Sequence, residues 1–134
     1  MLYLKQSYRF IRHILIFPII SISIIPLIIL DISIEIYHRI SFPLYEIPFV
    51  KRRNYIRIDR HKLKYLNVAQ KFYCAYCGYA NGVIQYWAKI AGETERYWCG
   101  IRHKENNNFV VPEHHKNFPK HGDENSFKKK YYKK

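Results

Sequence analysis

Residues 14–30 read ILIFPIISISIIPLIIL: seventeen positions without a charged side chain, and no later stretch is as apolar. Moving such a run from water into hydrocarbon is favourable, which makes it a membrane segment on sequence grounds. Lys5, Arg9 and Arg12 precede it, as in a secretory signal, but no small-x-small cleavage site follows. The exit, Leu30-Asp31-Ile32-Ser33-Ile34-Glu35, is bulky and charged, so a retained anchor is expected over residues 14–36. Seventeen helical residues rise roughly 25 Å, a little short of a ~30 Å hydrocarbon core. Extension through Ile36 completes a span and leaves Asp31 and Glu35 near the interface. Pro18 and Pro26 predict kinks and also fit a re-entrant or interfacial segment. A single span is the expectation; a re-entrant or interfacial segment and a soluble buried helix are the alternatives.

The formal charge of +13 over 134 residues is unevenly spread. Residues 1–13 carry +3, residues 14–36 carry −2 and residues 37–134 carry +12. Arg39, Lys51, Arg52, Arg53, Arg57, Arg60, Lys62 and Lys64 follow the apolar run closely, which places the carboxy-terminal side in the cytoplasm by the positive-inside rule. A surface of this charge seeks anionic lipid, an acidic protein partner or, as a weaker reading, nucleic acid. Lys51, Arg52 and Arg53 form a juxtamembrane cluster read as lipid contacts, at roughly 1 kcal/mol each near an anionic surface.

The chain is long enough for one small domain besides the anchor. Residues 1–13 form a basic flank and residues 14–36 the anchor. Residues 37–54 form an interfacial linker of prolines, aromatics and basic residues. Residues 55–103 form a small helical domain, and residues 104–134 a basic tail expected to be disordered. Pro43 and Pro48 argue against a regular helix over residues 40–48. Asp59 is a candidate cap for a helix from Arg60 to about Tyr73. A second helix is expected from Asn81-Gly82, with Val83, Ile84, Trp87, Ile90 and Ala91 on its apolar face. The fold class is therefore mainly α: an N-terminal membrane helix, or re-entrant hairpin, plus a small helical-hairpin domain.

Three cysteines cannot complete a disulfide framework within one chain. Gly78 stands where a c-type haem motif needs histidine, which removes that reading. Cys74 and Cys77, a C-x-x-C pair, join Cys99 and His103 as a candidate Cys3His set, with zinc the ion that suits those donors. Sharing one ion requires the second helix to stop near Gly92 so that the chain can return. If the helix runs on, Cys99 and His103 group with His61 and the C-x-x-C pair stands apart. Cysteines without any metal are the third reading.

Phe42-Pro43-Leu44-Tyr45, Ile47-Pro48, Tyr55-Ile56, Asp59-Arg60-His61, Tyr65-Leu66-Asn67, Tyr76-Cys77 with Tyr79-Ala80-Asn81-Gly82, Thr94-Glu95 and Tyr97-Trp98-Cys99 with His103 form a pattern. In it the chain resembles a group of small uncharacterised bacterial proteins over residues 45–103. The group usually carries glycine where this chain has Glu46, and proline where it has Gly100. The resemblance implies the domain boundaries and brings no activity.

The functional expectation is a membrane-anchored, basic, metal-binding scaffold. A membrane-associated enzyme is one alternative, drawing its nucleophile and base from Asp59, His61, Glu93, Glu95, Cys99 and His103. Nucleic-acid binding through interleaved tyrosines and basic residues is the other.

Overall fold

The computed structural model describes residues 8–132, and among them it is mainly helical with no strand. Its α-helices are α1 (Arg9–Ile22), α2 (Ile24–Leu44), α3 (Val68–Trp98) and α4 (Glu124–Tyr131). Single 3-10 turns occupy Arg52–Asn54, Arg60–Lys62 and Glu113–Asn117. The chain divides into two compact units, the first ending at Ala88 and the second starting at Lys89.

In the first unit, α1 and α2 together form a helix, Ile11–Leu44, long and apolar enough to cross a membrane. The break between them falls at Ser23, between the two prolines. There the Ser21 hydroxyl donates to the Phe17 carbonyl at 2.8 Å and the Ser23 hydroxyl to that of Ile20 at 2.7 Å. Such back-bonding accommodates a local bend. Pro26 lies in the first turn of α2, where a missing N–H is tolerated.

The helix does not stop before Pro43, as the sequence suggests; α2 continues through it to Leu44. Pro43 falls in the last turn, so little of the helix lies beyond the missing N–H. The end is closed by N–H donation from Tyr45 to Ser41 O (2.9 Å), Glu46 to Pro43 O (3.3 Å) and Ile47 to Phe42 O (2.9 Å). Glu46 takes the left-handed position, φ 56°, that glycine favours at such a terminus. A side chain there costs about 1–2 kcal/mol, partly offset by the greater freedom of glycine in the unfolded chain. Glu46→Gly is therefore expected to stabilise by about 0.5–1 kcal/mol, read as a raised urea midpoint in detergent micelles.

Asp31, Glu35, His38 and Phe42 recur at four- and three-residue steps along α2 and turn one face toward α3. The contacts between the helices rise in step. Phe17 meets Phe72 and Tyr73, Ser23 meets Tyr76, Asp31 meets Tyr79, and Glu35 meets Tyr86. The two helical segments thus run parallel, and residues 45–67 make the return. Phe42, Val50, Val83 and Tyr86 are buried in this unit.

The expected helical hairpin over residues 55–103 is not formed. One 31-residue helix replaces it. Asp59 makes no capping hydrogen bond, and only one turn follows it. The start of α3 is set instead by a reciprocal box: Gln70 N–H donates to Asn67 Oδ1 at 2.9 Å and Asn67 N–H to Gln70 Oε1 at 3.0 Å. The helix passes through Gly78 and Gly82 because the return segment lies directly on them. A Cβ on Gly78 would stand 2.9 Å from the Arg57 carbonyl oxygen, and one on Gly82 would stand 2.8 Å from Ile56 Cα. Gly78 is thus a close-approach point inside a helix.

The second unit contains the end of α3 and residues that the sequence suggests are disordered. Through residue 132 they are ordered here around buried His115, Phe118 and Pro119. Asp123 caps α4 by accepting from Ser126 N–H at 2.9 Å.

Candidate metal centre and a buried ionic network

The end of α3 sets the position of Glu95. Cys99 N–H and Gly100 N–H both donate to the Glu95 carbonyl, at 2.8 and 2.9 Å, and close the helix. Gly100 has φ 52°, and its carbonyl accepts from the Tyr131 hydroxyl at 2.9 Å. The chain then returns to the 3-10 turn Glu113–Asn117. Arg102 fastens this turn, donating through Nε to His115 O at 3.0 Å and through Nη2 to Lys116 O at 2.5 Å. His114 lies against Gly92, where a Cβ would stand 3.0 Å from the imidazole. His115 stacks on Phe118 at 5.1 Å and is 1 % exposed.

Three imidazoles gather around the one carboxylate. His114 Nε2 lies 2.7 Å from Glu95 Oε2, and His115 Nε2 lies 2.8 Å from Oε1. His103 Nε2 stands 4.0 Å from Oε1. Burial alone would raise the Glu95 carboxyl, but hydrogen bonds from His114 and then His115 outweigh it and hold it below the ordinary carboxylate range. His115 Nδ1 is buried without a hydrogen-bond partner. Glu95, His103 and His115 each offer a ligand atom, all within 4.8 Å of one another, so this group could hold a metal ion.

Among the described residues no Cys3His site is shown. The return at Gly92 that a shared ion requires does not occur, because α3 continues unbroken to Trp98. Cys74 and Cys77 lie one turn apart within the helix, Cys74 half-buried and Cys77 exposed; Cys99 is exposed at the helix end. Of the proposed ligands, only His103 is in the His/Glu group. Of the residues considered for an enzyme, Glu95 and His103 come together. Sequence reading missed His114 and His115 because they lie in a stretch that reads as polar tail. Their one signal is residue type, two adjacent imidazoles just after Pro112.

The first unit holds a second polar cluster. Asp31, 6 % exposed, accepts from Arg52 Nη1 at 2.7 Å, Arg52 Nη2 at 2.5 Å, Tyr79 Oη at 2.7 Å and Trp87 Nε1 at 3.2 Å. The Arg52 guanidinium also lies 5.4 Å from the centre of the Tyr86 ring. Glu35 accepts from Arg39 Nε at 2.8 Å and Tyr86 Oη at 2.9 Å. His38, fully buried, accepts from Val50 N–H at Nε2, 3.1 Å away. Its proton therefore sits on Nδ1 and is donated to Tyr86 Oη at 2.9 Å, which leaves the Tyr86 hydroxyl proton for Glu35. From Val50 through His38 and Tyr86 to Glu35, each donor thus meets an acceptor. Arg52, expected to contact lipid, is committed to Asp31 instead, while Lys51 and Arg53 remain exposed.

These features define a class: a helical chain with one long apolar N-terminal helix and a His/Glu group able to hold a metal. No family model matches the chain, and neither curated proteins nor solved structures give a match.

Proposed function

We propose that this chain is a membrane-bound, zinc-binding scaffold, seated on the cytoplasmic face. In this reading it uses α1 and α2 and nearby basic residues to hold anionic lipid. The second unit presents a basic surface to an acidic protein partner. The observation that carries the metal reading is the Glu95, His103 and His115 group. Two imidazoles and a carboxylate suit zinc. His103, with its side chain 65 % exposed, supplies a route for the ion to enter.

Support for the membrane reading comes from how α2 distributes polarity. Buried Asp31 and His38 and half-buried Glu35 face α3, while Ile25, Ile29, Ile32, Ile36 and Ile40 stay exposed. Polar side chains in a lipid-facing helix behave in this way, turned inward and paired. Kinship with the group of small bacterial proteins is supported at Glu46, whose left-handed backbone suits the glycine usual there. At Gly100 the turn must differ, because proline cannot adopt φ 52°.

Zinc titration of the chelator-stripped full chain in detergent tests the metal site. One ion per chain is expected. Glu95→Gln and the exposed-site variant His103→Ala are each expected to weaken binding at least about tenfold. A triple Cys74→Ser, Cys77→Ser, Cys99→Ser variant should bind as the parent does. Absence of zinc binding, or its loss only in the cysteine variant, overturns the assignment. A three-donor site with an exposed side also suits a metal that ionises water, so a hydrolytic enzyme is the second reading.

A further inference from the structure

We infer that α1 and α2 lie along the membrane surface, in its plane, with one apolar stripe in the lipid, and do not cross it. This rests on the membrane reading above and specifies how the anchor is seated. The Ile11–Leu44 helix has 34 residues, which rise about 50 Å, whereas a crossing needs only a ~30 Å core. Its exposed apolar side chains do not stop after one span. Ile22, Ile25, Ile29, Ile32, Ile36 and Ile40, each more than half exposed, continue one stripe at three- and four-residue steps almost to its end.

The opposite side meets α3 from Phe17 onward, and the segment that leads into α3 is unsuited to hydrocarbon. The Phe17 ring centre lies 6.4 Å from that of Phe72 and 5.8 Å from that of Tyr73. Since α3 begins at Val68, its first turn and its Asn67 cap lie beside the start of the apolar run, and the chain feeding them passes along the run from its contacts on Gly82 and Gly78. The non-helical chain feeding that cap carries exposed Arg53, Arg57, Lys62 and Lys64. A crossing centred on residues 14–30 would draw that irregular, basic backbone into lipid, where unpaired peptide groups and cations are both costly. In the plane, the isoleucine stripe faces down and α3 with the return segment faces up. Exposed Arg39, Lys51 and Arg53 then reach lipid phosphates at headgroup level, their aliphatic stems lying along the apolar boundary. The occupant of the stripe is thus a bilayer surface containing anionic lipid.

The test uses the full chain with its cysteines replaced by serine, carrying single spin labels at Leu15, Ile22, Ile29 and Ile36. Each variant is first matched to the parent by circular dichroism. The vesicles are phosphatidylcholine with a minor fraction of phosphatidylglycerol. Collision with oxygen and with a water-soluble nickel chelate then gives the depth of each label. An in-plane helix gives one shallow depth at all four positions. An impermeant maleimide also labels Tyr8→Cys and Arg53→Cys from the same side. A depth that peaks at one label and falls away on both sides, with the two cysteines labelling from opposite sides, overturns the seating and leaves the anchor standing. Labels that stay in water, or that broaden one another through pairing of two copies, overturn both.

Discussion

Asp31→Ala is expected to destabilise the first unit by about 3 kcal/mol, a value at the low end for breaking a buried ion pair. The carboxylate is the shared acceptor for Arg52, Tyr79 and Trp87, so its removal strands donors from the 3-10 turn Arg52–Asn54 and from α3 together. Two facts keep the cost from being larger. The Arg52 side chain is 35 % exposed, and Glu35 remains 3.7 Å from it. Urea unfolding in micelles gives the value. Arg52→Met should cost less, because Asp31 keeps Tyr79 and Trp87 as donors. The double variant should fall short of the sum of the two, since both singles break one pair. Strict additivity, or a loss for Asp31→Ala no larger than about 0.5 kcal/mol as at an ordinary surface site, would show that the network carries little of the stability.

Gly82→Val should cost a similar amount, about 3 kcal/mol, the upper range for overpacking. The new Cβ would meet Ile56 Cα at 2.8 Å and the Tyr55 carbonyl at 2.9 Å, and both are backbone. No rotamer change relieves such a contact, so the return segment must lift from α3. Gly82→Ala is milder because alanine regains about 1 kcal/mol of helix propensity. Limited trypsin digestion provides a second readout, with faster cleavage at Arg53 and Arg57 once the segment is loosened. A stabilised Gly82→Ala, with unchanged proteolysis, would mean that the segment does not press on the helix.

Much of the architecture is legible in local sequence. The apolar run over residues 14–30 has too few polar groups to be anything but helix, and it emerges as one. The Asn67–Gln70 box is also readable, as an asparagine three residues before a glutamine at the head of an amphipathic stretch. Asp59 looked as good a cap by residue type alone. The choice between them is made by the return segment, which must stay extended to lie on Gly78 and Gly82. Read locally, Asn81-Gly82 looks like the start of a new helix. Packed under another backbone, Gly78 and Gly82 hold the helix together.

The candidate metal group shows the same division. Glu95 and His103 stand out in the sequence as residues able to do chemistry. His114 and His115 lie nineteen and twenty positions beyond Glu95, and no spacing rule connects them. Cys74 and Cys77 have a familiar metal-binding spacing, yet an unbroken helix holds them away from the return that a shared ion needs.

By itself the sequence determined the helical class, the long apolar N-terminal helix and the basic charge, because each depends on side-chain type and on periodicity within a single element. Tertiary structure alone decided which acids are paired, which glycines bear a crossing chain and which histidines meet Glu95. Those outcomes depend on where distant segments come to rest. Packing sets that position, and it is written in no local stretch.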